Sequence, residues 1–274
     1  MIASPSDASG RASRKTDASA DVETRQLDGL DVTARATLLD ELESLLETHG
    51  TLYDWAEQQP QPRALKGRAP VYVASLPSGR ETVVVRHAWH GGLFAPITGD
   101  RFWRPSRAPI EMERSARLIA AGIPTAVVLG FVRYDAGFAL CRVDVISRFV
   151  PNASDLGVIL AGLAPEYHRE EALAATHTLL ARLATVGVIH PDLNVKNILL
   201  TRDAAGALKA MMIDVDTIQW DEHRATSATM QANVERLTRS MRKWRRQFGC
   251  DITDADLDRF TREAMSGTPA HADS

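Results

Sequence analysis

Cysteine is nearly absent: Cys141 and Cys250 are the only two in 274 residues, too few and too isolated for a disulfide framework or a zinc site. The N-terminus lacks the apolar core of a secretory signal, and no apolar run approaches the roughly 18 to 20 residues needed to span a bilayer. These absences predict a reducing, cytosolic setting and no integral membrane segment. Charge of one sign is scarce too. A net charge of −3 supplies no global attraction to nucleic acid, so no such partner is expected and basic character has to be sought in local clusters. Aromatic residues make up 6% of the chain, and Trp55, Trp89, Trp103, Trp220 and Trp244 are scattered; packing explains them better than stacking on bases. A G-x-G-x-x-G phosphate loop is missing as well. Gly67, in Gly67-Arg68-Ala69 before the first kinase-like strand, is the nearest candidate for cradling phosphate through backbone amides.

What remains is the composition of a globular protein, 45% hydrophobic and 24% charged, long enough for two lobes around sizeable cores. Residues 1–25 carry no periodic apolar positions and read as a disordered tail. Residues 26–60 read as an accessory helical segment: Leu38, Leu42, Leu45 and Leu46 recur at helical spacing from Asp31 to Thr48, with Asp31 or Thr33 as N-cap and Gly50 as stop. Val71-Tyr72-Val73 and Thr82-Val83-Val84-Val85 flank the turn at 76–80 and predict a strand pair. A helix follows over 109–121, then strands over 125–132 and 138–146, separated by a turn at 133–137. Residues 151–155 read as a linker. Leu173, Thr176, His177, Leu180, Leu183 and Ala184 mark the strongest helix, over 170–185. Two short strands, 198–200 and 211–213, and a helix over 229–248 complete the pattern. Strands with one helix, then mostly helices with a hairpin, predict an α+β bilobal fold of the protein-kinase-like type. Its small β-rich N-lobe falls on 61–148 and its mainly helical C-lobe on 149–265, with a flexible terminus over 266–274.

The chemistry is concentrated in His190-Pro191-Asp192-Leu193-Asn194-Val195-Lys196-Asn197 and in Ile213-Asp214-Val215-Asp216. Phosphoryl transfer from ATP needs a carboxylate to orient the attacking hydroxyl and oxygen ligands to hold magnesium against the phosphates. His190-x-Asp192-x-x-x-x-Asn197 has the spacing of a kinase catalytic loop, with Asp192 as base and Asn197 as magnesium ligand. Asp214 follows the apolar Met211-Met212-Ile213, as a metal-binding Asp would. An isolated H-x-D is equally a cap or a solvated turn; three matching groups around a hairpin are not. Upstream, Arg86 ends Val83-Val84-Val85 where a kinase places its phosphate-gripping lysine, and arginine can bind phosphate bidentately. A solvated residue at a strand end is the plainer reading of Arg86. Its helix partner is Glu111, with Glu113 the alternative.

With those residues placed, the chain resembles the lipopolysaccharide core sugar kinases of the protein-kinase-like superfamily, most of all the branch acting on 3-deoxy-D-manno-octulosonic acid (Kdo). The resemblance runs from about Gly67 to Arg246. It rests on Val85-Arg86-His87 before Gly91-Gly92-Leu93, Asp100-Arg101-Phe102-Trp103, Gly122-Ile123-Pro124, the two segments just described, and Asn233-x-x-Arg236-Leu237-x-Arg239-Ser240. Asn194 stands where typical protein kinases have lysine, which turns the reading away from a protein substrate. The resemblance implies ATP- and Mg2+-dependent phosphorylation of a Kdo hydroxyl, the 4-hydroxyl, on a Kdo-lipid A type glycolipid at the cytoplasmic face of the inner membrane. It also implies Asp192, His190 and Asn194 as catalytic-loop residues, Asn197 and Asp214 as metal ligands, Arg86 with Glu111 on the nucleotide, and Arg236 and Arg239 on the acceptor. Ala88-Trp89-His90 and Val215 depart from the family pattern, which tends to a basic stretch and an aromatic residue there.

Arg236, Arg239, Arg242, Lys243 and Arg246 lie at three- or four-residue spacing on the last long helix, a basic face suited to lipid phosphates or a sugar carboxylate, or simply to solvent. His87 and His90 read as solvated loop histidines. Two other functions fit the same catalytic residues: a heptose or small-molecule kinase of this fold, and a pseudokinase that binds nucleotide without turnover.

Overall fold

A computed structural model describes residues 21–59, 63–65, 70–89, 99–103, 106–221, 223–224 and 226–266. Gly67, His90 and the Gly91-Gly92 pair lie outside them, as do residues 1–20 and 267–274.

The N-terminal half is built on an eight-stranded sheet. Its strands are β1 (Val22–Leu27), β2 (Leu30–Arg35), β3 (Arg63–Leu65), β4 (Val71–Ser75), β5 (Thr82–His87), β6 (Phe102–Trp103), β7 (Val128–Asp135) and β8 (Leu140–Arg148). Their order is β1-β2-β7-β8-β5-β4-β3, with β6 paired to β8. Every pairing is antiparallel, so alternate side chains face opposite sides. Val32, Ala34, Val83, Val85, Val132 and Ile146 point to one face and form a core with α1 (Ala36–His49) and α2 (Leu52–Glu57). Phe131, Val143 and Val145 point to the other and meet Ala108 and Met112 of α3 (Ala108–Ala120).

Residues 21–59 depart from the sequence expectation. In place of a disordered tail to residue 25 and a purely helical accessory segment over 26–60, β1 and β2 form a hairpin that joins the main sheet through β7. The helix therefore starts at Ala36, and Arg35, not Asp31 or Thr33, holds its N-cap position. The reason is long-range: the period-two set Val32 and Ala34 is fully buried against the sheet, and pairing with β7 outweighs local helix propensity. Gly50 does stop the helix, at φ 78. The β7–β8 turn also lies later than 133–137, with Gly137, Phe138 and Ala139 all at positive φ. In the 151–155 linker, Ser154–Asp155 forms β9 and pairs with a C-lobe strand.

The C-terminal half contains α4 (Leu156–Leu160), α5 (Arg169–Thr185), β10 (Val188–Ile189), β11 (Ile198–Arg202), β12 (Leu208–Met212), β13 (Gln219–Trp220), α6 (Thr226–Phe248) and α7 (Asp254–Ser266). Leu179, Leu180 and Leu183 of α5 are buried to within 1%, each worth roughly 1.5–3 kcal/mol of burial free energy. Met230, Val234, Leu237 and Met241 give α6 one apolar stripe against the same core. Leu118 of α3 and Ile123 also belong to that core. α3 thus touches both halves, and the turn after β12 packs against it.

Candidate active site

The loop between β10 and β11 is held by its own side chains. Asn194 accepts from the Lys196 amide through Oδ1 (2.9 Å) and donates through Nδ2 to the Asp192 carbonyl (2.8 Å). Asn197 donates to the same carbonyl (3.2 Å). Val195–Asn197 closes as a 3-10 turn with Asn194 as N-cap. These bonds curl the chain around Asp192 and leave its carboxylate exposed. Leu193 and Val195, on either side of Asn194, are buried to 3% and 1% and anchor the turn in the core.

The Asn197 carbonyl accepts from the Ile213 amide at 3.0 Å, just past the register pair Ile198 to Met212. The hairpin thereby brings Asp214 beside the catalytic loop. Asp214 is exposed and sits at φ 61, ψ 52, a left-handed conformation that costs a non-glycine residue of order 1–3 kcal/mol. Such strain is characteristic of residues whose direction matters more than their comfort.

Arg86, at the end of β5, donates through Nη2 to both carboxylate oxygens of Glu111, at 2.8 and 2.6 Å. Burial opposes the arginine's charge, but Glu111, Asp214 and Asp216 outweigh it and hold its pKa above the ordinary value. Burial pushes Glu111 up, and Arg86 pulls against it. Glu113, two positions along the helix and so on its opposite side, is exposed and makes no such contact. Arg107 and Arg114 share the Glu111 face: Arg107 pairs with the Asp216 carboxylate at 3.3 Å, and Arg114 donates to the Asp216 carbonyl. One face of α3 therefore holds both the β5 arginine and the turn that follows Asp214.

His190 corrects the sequence assignment. It is fully buried, so it cannot touch a substrate. Burial lowers its pKa, while Asp214, the Ile213 backbone and Asp192 work the other way. It packs under the site as a neutral ring. Asn194 is likewise a residue of loop architecture, both halves of its amide being spent on the backbone. Arg236 donates through Nη1 to the Ala232 carbonyl of its own helix at 2.7 Å, and Arg239 is exposed. His87 is not solvated. Its Nδ1 lies 2.6 Å from buried Asp144 and its Nε2 3.2 Å from Asp100. Burial disfavours its charge, yet the two carboxylates prevail and raise its pKa.

Asn197 and Asp214 offer oxygen ligands, which suit a hard divalent cation that takes its remaining ligands from phosphate and water. Among the described residues no group of three or more His, Cys, Asp or Glu side chains is placed to hold a metal.

The model of the lipopolysaccharide kinase (Kdo/WaaP) family matches residues 54–263. The chain is 27% identical over 221 residues to the 3-deoxy-D-manno-octulosonic acid kinase of Xylella fastidiosa strain M23, covering 76% of this chain and 80% of that one. It is 28% identical over 199 residues to the enzyme of the same name from Vibrio vulnificus strain CMCP6, covering 70% and 77%. A solved structure of WaaP in complex with acyl carrier protein aligns with a TM-score of 0.48 at 15% identity, over 83% of this chain and 88% of that one.

Proposed function

Because the chain belongs to the lipopolysaccharide kinase (Kdo/WaaP) family, we propose that it transfers the γ-phosphate of ATP to a hydroxyl, the 4-hydroxyl, of a Kdo residue on a lipid A type precursor. The observation that carries this reading is the convergence of Asp192 and Asn197 on the β10–β11 loop with Asp214 after β12, opposite the Arg86–Glu111 ion pair between β5 and α3. Asp192, exposed on a fixed turn, takes the proton of the attacking hydroxyl. Arg86, charged and oriented by Glu111, grips phosphate oxygens. Asn197 and Asp214 would hold Mg2+, which neutralises charge on the transferring phosphoryl group. The name shared by the Xylella and Vibrio relatives, 3-deoxy-D-manno-octulosonic acid kinase, supports this over a heptose or small-molecule acceptor, and the presence of both Asn197 and Asp214 as oxygen ligands favours turnover over a nucleotide-binding pseudokinase.

No helix among the described residues is long and apolar enough to cross a membrane. A glycolipid acceptor nonetheless lies at a bilayer, and the exposed Arg239, Arg242, Lys243 and Arg246 of α6 support peripheral contact with an anionic inner-membrane surface. The decisive experiment incubates the protein with ATP, magnesium and a Kdo-lipid A precursor. A mass gain of one phosphate, lost in Asp192→Ala, is expected. Nucleotide binding without magnesium dependence, together with no turnover on any lipid or sugar acceptor, would sink the reading.

A further inference from the structure

Asn233-x-x-Arg236-Leu237-x-Arg239-Ser240 draws attention in the sequence for its arginines, but the side chains at its two ends also bond the backbone of the catalytic loop. Asn233 is fully buried. Its Oδ1 accepts from the His190 amide at 3.1 Å, and its Nδ2 donates to the Val188 carbonyl at 2.9 Å. Ser240 accepts from the Val195 amide through Oγ, at 3.1 Å. Seven residues bring a helix back to within about 20° of the same face and advance it about 10.5 Å. Asn233 and Ser240 therefore stand in line on one side of α6, and they meet the chain on either side of Asp192.

We infer that Asn233 and Ser240 are positioning residues, which use α6 as a ruler to set the backbone of the catalytic loop at both ends. Between the two anchored amides lie only Pro191, Asp192, Leu193 and Asn194. Pro191 has no amide hydrogen and a restricted φ, Leu193 is buried, and Asn194 is bonded to the loop itself. Little freedom is left to Asp192 but rotation of its side chain. An amide is required at position 233, because it must accept on one side and donate on the other. A carboxylate would set an oxygen against the Val188 carbonyl. The catalytic role rests on Asp192 being the base in the reading above; the anchoring itself does not, so the two are tested separately.

The test compares Ser240→Ala, Ser240→Thr, Asn233→Asp and the control Thr238→Ala in the full chain. Thr238 is a buried α6 residue that faces Thr261 of α7 (3.5 Å) and does not touch the loop. Ser240→Ala should speed amide exchange at Val195 and lower kcat about tenfold, one hydrogen bond's worth, with the KM for ATP within about twofold. Ser240→Thr keeps the acceptor and should restore both. Asn233→Asp should lose kcat at high pH and recover part of it as pH falls and the carboxyl becomes a donor. Thr238→Ala should lower Tm while leaving loop exchange and kcat as in the wild type. Unchanged exchange at Val195 in Ser240→Ala would overturn the anchoring. Faster exchange with wild-type kcat, or a loss of kcat in Thr238→Ala in proportion to Tm, would overturn the positioning role. A wild-type protein inactive on the Kdo-lipid acceptor would instead refute the proposed substrate, and the exchange measurements would still decide the anchoring.

Discussion

Arg86 on β5 and Glu111 on α3 meet through a single nitrogen, Nη2, that contacts both carboxylate oxygens. The side chain is 38% exposed at the arginine and 12% at the glutamate, so the remaining donors of Arg86 stay available to a nucleotide while its partner is shielded. Glu111→Gln should leave a guanidinium without its counter-charge and free it to swing. A rise in the KM for ATP of about tenfold is expected, read from steady-state kinetics, whereas Glu113→Gln should be kinetically silent.

Removing the exposed Asp192 carboxylate should abolish chemistry while sparing structure, since among the described residues it makes no bond that holds the fold. Asp192→Asn should cut kcat by roughly 10²–10⁴. Its Tm and its affinity for ATP, measured by calorimetry, should match the wild type.

His87 should contribute a pH-dependent stability. Its pKa is raised in the folded state, so the favourable contribution is complete below about pH 6.5, the ordinary histidine value, and is lost as pH rises through the elevated folded value. The buried His190 and the half-buried His177 are lowered and act with the opposite sign, their stabilisation being lost as pH falls. The clean observable is therefore the difference in Tm between wild type and His87→Gln. It should be full just below pH 6.5 and shrink as pH rises through the elevated folded value; a difference independent of pH would contradict the ionic clamp between Asp144 and Asp100.

Gly130→Ala tests whether the N-terminal hairpin is part of the sheet. A Cβ there would lie 2.7 Å from both the Ala34 Cβ and the Thr33 carbonyl, so β2 would have to move away from β7. A loss of about 1–3 kcal/mol in denaturant unfolding is expected. A neutral result would mean that β2 does not sit where it is described.

Charge reversal at Arg242, Lys243 and Arg246 tests the membrane-facing role of α6. These side chains are exposed, while Arg245 is engaged by Asp254 and the Ile252 carbonyl. Sedimentation with phosphatidylglycerol vesicles should show binding that weakens with salt and disappears in the triple glutamate variant. Equal binding of the wild type to phosphatidylcholine vesicles would rule out an electrostatic contact.

The chemistry was legible in the sequence because it is local. The spacing of Asp192 to Asn197 is set by one turn, and Asp214 follows its strand directly, so a linear pattern carries both. Helical periods along α5 and α6, and the strand pair around Gly79, were legible for the same reason: each element records in its own residues the face it buries. Other features depend on residues distant in the chain. The choice of Glu111 over Glu113 follows from which side of α3 faces β5. The hairpin at 22–35 is a sheet element because β7, about a hundred residues on, pairs with it. His87 looked like a loop histidine until Asp144 and Asp100 closed on it. Sequence alone thus determined which reaction the chain is equipped for. Tertiary structure decided which side chains support it, since burial and partner choice are properties of packed surfaces that no local spacing encodes.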